Sequence, residues 1–240
     1  MQKADILAIG AHPDDVELGC GGTLAKLIAE GKTVAIVDLT QGELGTRGTN
    51  FTRAEEAAKA SEILGISARE NLKMKDGFLV NSEENQMQIV KMIRKYQPEI
   101  VFSNAVEDRH PDHAKAHKLV SNACFLAGLV KIETTHNGES QKPWRPKQIF
   151  SYIQWKNITP DFVVDISGFM NTKIEACLAY KTQFYDPDST EPMTPIATKD
   201  FLESLTYRAQ DLGRLSGVEY AEGFTTEKLI AFKNFDGIIL

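Results

Sequence analysis

Short apolar runs alternate with stretches of helical periodicity along this chain. Ile6-Leu7-Ala8-Ile9 is the first run, and after a glycine-rich turn a helix pattern extends from Thr23 to Glu30, closed by Gly31. Residues 33–39 read as a second strand. Beyond a loop rich in glycine and threonine, a helix opens at Thr52, with Glu55 three residues on completing a capping box. Its Ala54, Ala57, Ala58 and Leu64 share one face whose small side chains would let the helix approach a sheet closely, and Gly65 ends it. The alternation continues with a strand near residues 72–74, a helix capped by Ser82 and running to Tyr96, a strand over 99–103 and a helix from about His113 to Ala127.

Nearly continuous apolar strands separated by helices predict an α/β fold, a Rossmann-like open, mainly parallel sheet with helices on both faces and right-handed crossovers. Residues 134–146 turn polar, and 149–153 and 162–166 read as two further strands. A helix from Asn171 to Lys181 leads into 186–195, where Pro187, Pro192 and Pro195 favour an irregular loop placed to cover a site. No internal repeat or linker divides the chain, so residues 1–240 read as one domain. A domain of this size buries about 70–75% of its unfolded surface. It needs no metal to hold it together, and a bound metal would serve chemistry. In such sheets ligands sit beyond the carboxyl ends of the strands, which directs attention to the loops after Ile9, Leu39 and Ser103.

Apolar residues make up 42% of the chain and charged residues 25%, with a mean hydropathy of -0.26 and no long apolar run, which excludes a membrane span. The net charge of -6 argues against nucleic acid or anionic lipid as a partner and favours a small molecule. Cys20, Cys124 and Cys177 form no C-x-x-C pair, so neither a disulfide framework nor a thiolate zinc site is expected. The residues after Met1 lack a secretory pattern, and a cytoplasmic location is the expectation.

Two of the indicated loops carry unusual chemistry. The first, Ala11-His12-Pro13-Asp14-Asp15, continues through Gly21-Gly22-Thr23, and the second is Glu107-Asp108-Arg109-His110-Pro111-Asp112-His113. The glycines of the first loop do not form G-x-G-x-x-G, and its carboxylates would repel a pyrophosphate. A single His-Pro-Asp is a plausible helix entry. Two copies at two strand ends point instead to a metal: His12, Asp15 and His113 would supply two imidazoles and one carboxylate and leave a position open for water. Asp14 and His110 then stand beside ligands, where a base and an oxyanion stabiliser are wanted. His113 and His117, four residues apart, offer an alternative pair on one helix face, while His136 lies in a polar stretch and reads as solvated.

Taken together, these motifs resemble the LmbE-like, or PIG-L-type, zinc-dependent N-acetylglucosaminyl deacetylases. Gln41-Gly42-Glu43, Gly45-Thr46-Arg47-Gly48, Thr52-Arg53-Ala54-Glu55-Glu56 and Tyr220-Ala221-Glu222-Gly223-Phe224 extend the resemblance over almost the whole chain. They are most similar to the bacillithiol-biosynthesis branch, which removes the N-acetyl group of N-acetylglucosaminyl malate. The resemblance implies zinc on His12, Asp15 and His113, Asp14 as general base and His110 as charge stabiliser. It also implies Glu43, Arg53 and Arg109 near the substrate, with Tyr185 as the candidate aromatic on a mobile loop, and a homo-oligomer such as a hexamer. Two histidines and a carboxylate would also accept iron, cobalt or manganese. His110 would act best as a cation, its pKa raised by Asp112 or Asp14. Arg47, Arg53 and Arg109 could grip the two carboxylates of a malyl group, so the acidic chain would hold an arginine-lined pocket. The rival readings are a deacetylase of the same fold acting on another conjugate, such as a chitooligosaccharide, and a nucleotide- or metal-binding protein without turnover.

Overall fold

The computed structural model describes residues 3–232 together with 234 and 238, so the first two residues of the start read above lie outside it. The alternation of the sequence appears as β1 (Ile6–Gly10), α1 (Asp15–Ala29), β2 (Val34–Thr40), α2 (Asn50–Leu64), β3 (Ala68–Met74), α3 (Glu83–Tyr96), β4 (Ile100–Ser103) and α4 (Pro111–Ala127). A two-stranded hairpin, β5 (Thr135–His136) and β6 (Glu139–Ser140), interrupts the stretch expected to be loop. The remaining elements are β7 (Gln148–Tyr152), β8 (Phe162–Asp165), α5 (Met170–Leu178), a 3-10 turn at Pro195–Ala197, α6 (Lys199–Ser216) and β9 (Ala221–Thr226).

Seven strands form one sheet in the order β3-β2-β1-β4-β7-β9-β8. The five strands from β3 to β7 are parallel, whereas β9 runs antiparallel to both β7 and β8, so the sheet is mainly parallel, as expected. Every residue of β1 and β2 is buried, the signature of strands covered on both faces. One apolar cluster packs α3 and α4 against one face, and another lies beneath α1 on the other.

Two local expectations are corrected, and two elements are added. The glycines after β1 do not make an open turn: α1 begins at Asp15, runs through Gly19 and Gly22, and breaks its helical geometry at Cys20, where φ is -144°. Glycine is needed there for contact, since a Cβ at Gly19 would overlap the Tyr152 ring and one at Gly22 would come within 2.7 Å of Ile166. The restarted half of the helix is capped from far away in sequence. Glu222 on β9 accepts the amides of Gly22 and Thr23 at 3.0 and 2.7 Å, and Lys173 lies 2.5 Å from the same carboxylate. The cap of α2 is Thr49 with Thr52 as its reciprocal partner, three residues before the expected box, and its buried face is Arg53, Ala57, Ala60 and Leu64, leaving Ala54 and Ala58 exposed. Finally, α6 and β9 carried no strand or helix expectation, although α6 forms one wall of the site.

Candidate metal centre and active site

Just beyond β1, the backbone turns through Asp14, which is held at φ 110°, a conformation costly for a residue with a Cβ. The turn aims His12, Asp14 and Asp15 into a cavity of about 340 Å³ at the carboxyl edge of the sheet. Across from it, His110 caps α4, with Pro111 in its first turn, and the helix presents His113 from one turn further on.

Asp15 lies between the two histidines. One of its oxygens is 3.4 Å from His12 Nδ1, and the other is 3.2 Å from His113 Nε2. The opposite ring nitrogens are each taken by another carboxylate, Asp76 at 2.9 Å from His12 Nε2 and Asp108 at 2.6 Å from His113 Nδ1. This arrangement fixes both imidazoles with one nitrogen turned toward Asp15, as metal-binding histidines are held by carboxylates behind them. Asp15 itself is fixed by donors from His12 N, Asn104 Nδ2 and Gln154 Nε2, at 2.9, 2.9 and 2.7 Å. Asn104 also accepts the Ala11 amide at 2.8 Å, which ties the loop after β4 to the loop after β1.

The donor chemistry therefore fits a divalent ion. Among the described residues, the donor atoms of His12, His110 and His113 lie within 4.8 Å of one another, as do those of His12, Asp76 and Asp112. Asp112 Oδ2 is buried without a hydrogen-bond partner, 3.8 Å from His12 Nε2. His117 is turned away: its ring nitrogens face Ser151 Oγ at 2.9 Å and Glu227 at 3.3 Å, so the His113/His117 pair is not assembled. Replacing Asp108 with asparagine is expected to weaken metal affinity about 10–100-fold by loosening His113. A competition titration against a chromophoric chelator measures this, and unchanged affinity would show that the carboxylate does not orient the ring.

Two protonation states stand out. Burial pushes the Asp14 carboxyl up to about 7 against the pull of Arg53, whose Nη2 is 2.6 Å from Asp14 Oδ2 and 2.9 Å from the Pro13 carbonyl. A carboxylate with a pKa near neutrality is suited to taking and returning a proton. His110 departs from expectation. Burial and the neighbouring His12 and His113 lower its pKa to about 4, overcoming the nearby carboxylates, so in the metal-free protein its neutral form is favoured over the cation. Its Nδ1 accepts the Asp112 amide at 3.3 Å, which leaves the proton on Nε2.

The other expected residues divide. Arg53 and Arg109 line the cavity, but Arg53 is committed to Asp14. The Arg109 guanidinium lies 4.4 Å from the Trp155 ring centroid. Glu43 is outside the cavity lining and acts behind it, accepting the Asp76 amide at 2.8 Å. Tyr185 does not line the cavity either. Arg47 is buried and engaged with Glu191 and Ser189, so it clasps the proline-rich segment rather than facing the pocket. Asp76, Asn104, Gln154 and Arg208 contribute without having been singled out. The first three stand just past the ends of β3, β4 and β7, where a search of every strand's carboxyl end for polar residues would have found them.

This cavity, with its carboxylate-braced histidines and a strained aspartate of raised pKa, belongs to a hydrolytic enzyme of the deacetylase class. The profile described as PIG-L, GlcNAc-PI de-N-acetylase, matches residues 7–124, the span that holds all five expected ligand and catalytic residues. Diacetylchitobiose deacetylase of Thermococcus kodakarensis is 32% identical over 228 residues, covering 91% of this chain and 81% of that protein. The solved structure of the conserved protein TT1542 from Thermus thermophilus matches with a TM-score of 0.85 at 37% identity, over 95% of this chain and 97% of that one. N,N'-diacetylchitobiose deacetylase from Pyrococcus horikoshii matches with a TM-score of 0.76 at 26% identity, over 93% and 84%. The chain belongs to the PIG-L/LmbE family.

Proposed function

We propose that the chain hydrolyses the N-acetyl group of an N-acetylglucosamine conjugate, releasing acetate and the free amine. The proposed substrate is N-acetylglucosaminyl malate, as in bacillithiol biosynthesis. The observation that carries the reaction is the pair of histidines braced by Asp76 and Asp108 around Asp15, beside Asp14 with its pKa of about 7. The diacetylchitobiose deacetylases among the relatives support a sugar N-acetyl group as the target. The malyl group rests on the sequence motifs of the branch.

In this reading His12, Asp15 and His113 hold a divalent ion, zinc first. When bound, the ion supplies Lewis-acid activation of water and of the acetamide carbonyl. Asp14 takes the proton of the attacking water, its carboxylate held in place by Arg53. His110 donates its Nε2 proton as a hydrogen bond to the oxygen that becomes negative in the tetrahedral intermediate, a role a neutral imidazole can fill. Protonated Asp14 then returns its proton to the departing amine, so that the proton removed from water leaves on the product. Glu43 acts at one remove, by fixing the Asp76 loop behind His12.

Acetate release from N-acetylglucosaminyl malate, N,N'-diacetylchitobiose and free N-acetylglucosamine, measured at defined zinc loading, tests both levels. The malyl conjugate is expected to show the highest kcat/KM. Acetate from none of the three overturns the deacetylase reading, and preference for chitobiose overturns the malyl assignment alone.

A further inference from the structure

Four carboxylates line the cavity, and each has an internal partner: Asp14 has Arg53, Asp76 has His12, Asp108 has His113, and Asp15 is shared between the two histidines. The cavity's three arginines do not balance in the same way. Arg53 is paired, but neither Arg109 nor Arg208 has an ion-pair partner among the described residues.

Arg208 is the more telling of the two because it is partly buried. It reaches the cavity from α6, where Phe201, Leu205 and Arg208 follow the spacing of one helical face and all line the same wall. Its guanidinium donates to the Gln154 carbonyl, and no other hydrogen bond of that group is made within the described residues. The largest influence of opposite sign is Asp108, whose oxygens are already engaged by His113 and by the amides of Arg109 and Lys156. Arg94 shows what a self-sufficient buried guanidinium looks like in this protein: it has no carboxylate either, but three carbonyls and the Thr134 hydroxyl take its donors. Arg47 and Arg69 are likewise satisfied, by Glu191 and by Glu17 with Asp38. A partly buried, always charged guanidinium that lines a cavity with most of its donors unpaired within the described residues is suited to receive an anionic acceptor there.

We propose that Arg208 is a specificity-determining residue that binds a carboxylate on the aglycone of the N-acetylated sugar, with Arg109 as the second cation of the same subsite. The proposal rests on the deacetylase reading and assigns recognition of an anionic aglycone to a residue that the sequence motifs did not single out. The placement supports this division of labour. Arg109 lies over Trp155, whose ring stacks on Phe201 at 5.3 Å, and Phe201 stands on the same face of α6 as Arg208, so a continuous stretch of the cavity lining carries both cations. A guanidinium fork is matched to a carboxylate, whereas a neutral sugar at the same place would leave the charge uncompensated.

The test compares kcat/KM for N-acetylglucosaminyl malate with that for methyl N-acetylglucosaminide, in the wild type and in Arg208→Gln. The ratio of the malyl to the neutral substrate is expected to fall at least tenfold in the variant, with the loss mainly in KM, and Arg208→Lys is expected to recover part of it. A ratio that stays constant while both substrates slow would mean that Arg208 only supports Gln154, and would overturn the subsite. If Arg208→Gln does not fold, Arg208→Met, which keeps the length of the stem and removes the charge, carries the same test, and an unchanged ratio there also overturns the subsite. The parent reading fails separately. No acetate from either glycoside in the wild type removes the deacetylase activity, whereas equal kcat/KM for the two leaves deacetylation standing and removes only the anion subsite.

Discussion

Asp14→Asn is expected to lower kcat by about 10²–10⁴-fold, the usual contribution of a positioned general base, while leaving the metal content of the protein unchanged. The substitution keeps the size of the side chain and a carbonyl that can accept from Arg53, but it removes the group that takes the proton from water. Two features single out Asp14 as the proposed base. Its backbone is held at φ 110°, an expense of about 1–3 kcal/mol that persists only where the surroundings impose it. Asparagine tolerates this region as well as aspartate does, so backbone strain is not a confounding effect. Its carboxyl is also raised to about 7 by burial, so both protonation states are accessible near neutral pH. Full activity in Asp14→Asn, with zinc bound stoichiometrically, would move the base elsewhere. Loss of zinc together with activity would mean that Asp14 belongs to the ligand set.

Removal of a proposed ligand is the other large effect. His113→Ala is expected to weaken zinc binding by more than the about 10–100-fold that loss of an orienting partner such as Asp108 costs, and to abolish acetate release with it. Retention of wild-type affinity would exclude His113 from the site. The wild type adds a dependence on pH. In the metal-free protein Asp15 and Asp108 hold the His113 pKa up at about 9 against the opposing effect of burial. With His113 as a ligand, as proposed, zinc has to displace that proton, so affinity should rise with pH toward about 9, by about tenfold per pH unit for each proton displaced. Stability of the metal-free protein follows the opposite course. A raised imidazole pKa contributes stability that is fully present below the ordinary value of 6.5 and is lost as pH rises through about 9. Melting temperatures with and without zinc should therefore diverge between pH 6.5 and 9, and a constant gap across that range would contradict the proton displacement.

The part of the site that was legible in the sequence is the part encoded locally. His12, Asp14 and Asp15 follow β1 directly, and His110 and His113 flank the start of α4, so strand prediction alone placed them at one edge of the sheet. What escaped was assembled over long distances. Asp76 reaches His12 across 64 residues and Gln154 reaches Asp15 across 139, and neither lies in a motif of its own. Arg53 shows a different limit. An arginine in the first turn of a helix just after the right loop was expected to reach substrate, but burial beside Asp14 gives it an internal acid to hold. His110 shows a third limit, because its charge depends on the sum of two imidazoles, several carboxylates and burial, a balance that no spacing reveals. The misplaced start of α1 has a related cause. Glycines that suggested a turn were there to admit Tyr152 and Ile166, partners more than 130 residues away in sequence.

The strand order has a consequence for how such a chain acquires its structure during synthesis. β8 is joined to the rest of the sheet only through β9, which lies between it and β7. While the ribosome has delivered the chain only as far as α6, β7 ends the growing sheet as an open edge and β8 has no strand to pair with. The amides of Gly22 and Thr23, made about 200 residues earlier, still lack the Glu222 carboxylate. β9, the last of the described strands, must therefore insert between β7 and β8 and brace the first helix. Such late, long-range closure is slow and leaves an unpaired edge open to other chains in the interval. Folding yield, more than the stability of the finished molecule, should be the property most sensitive to changes in β9.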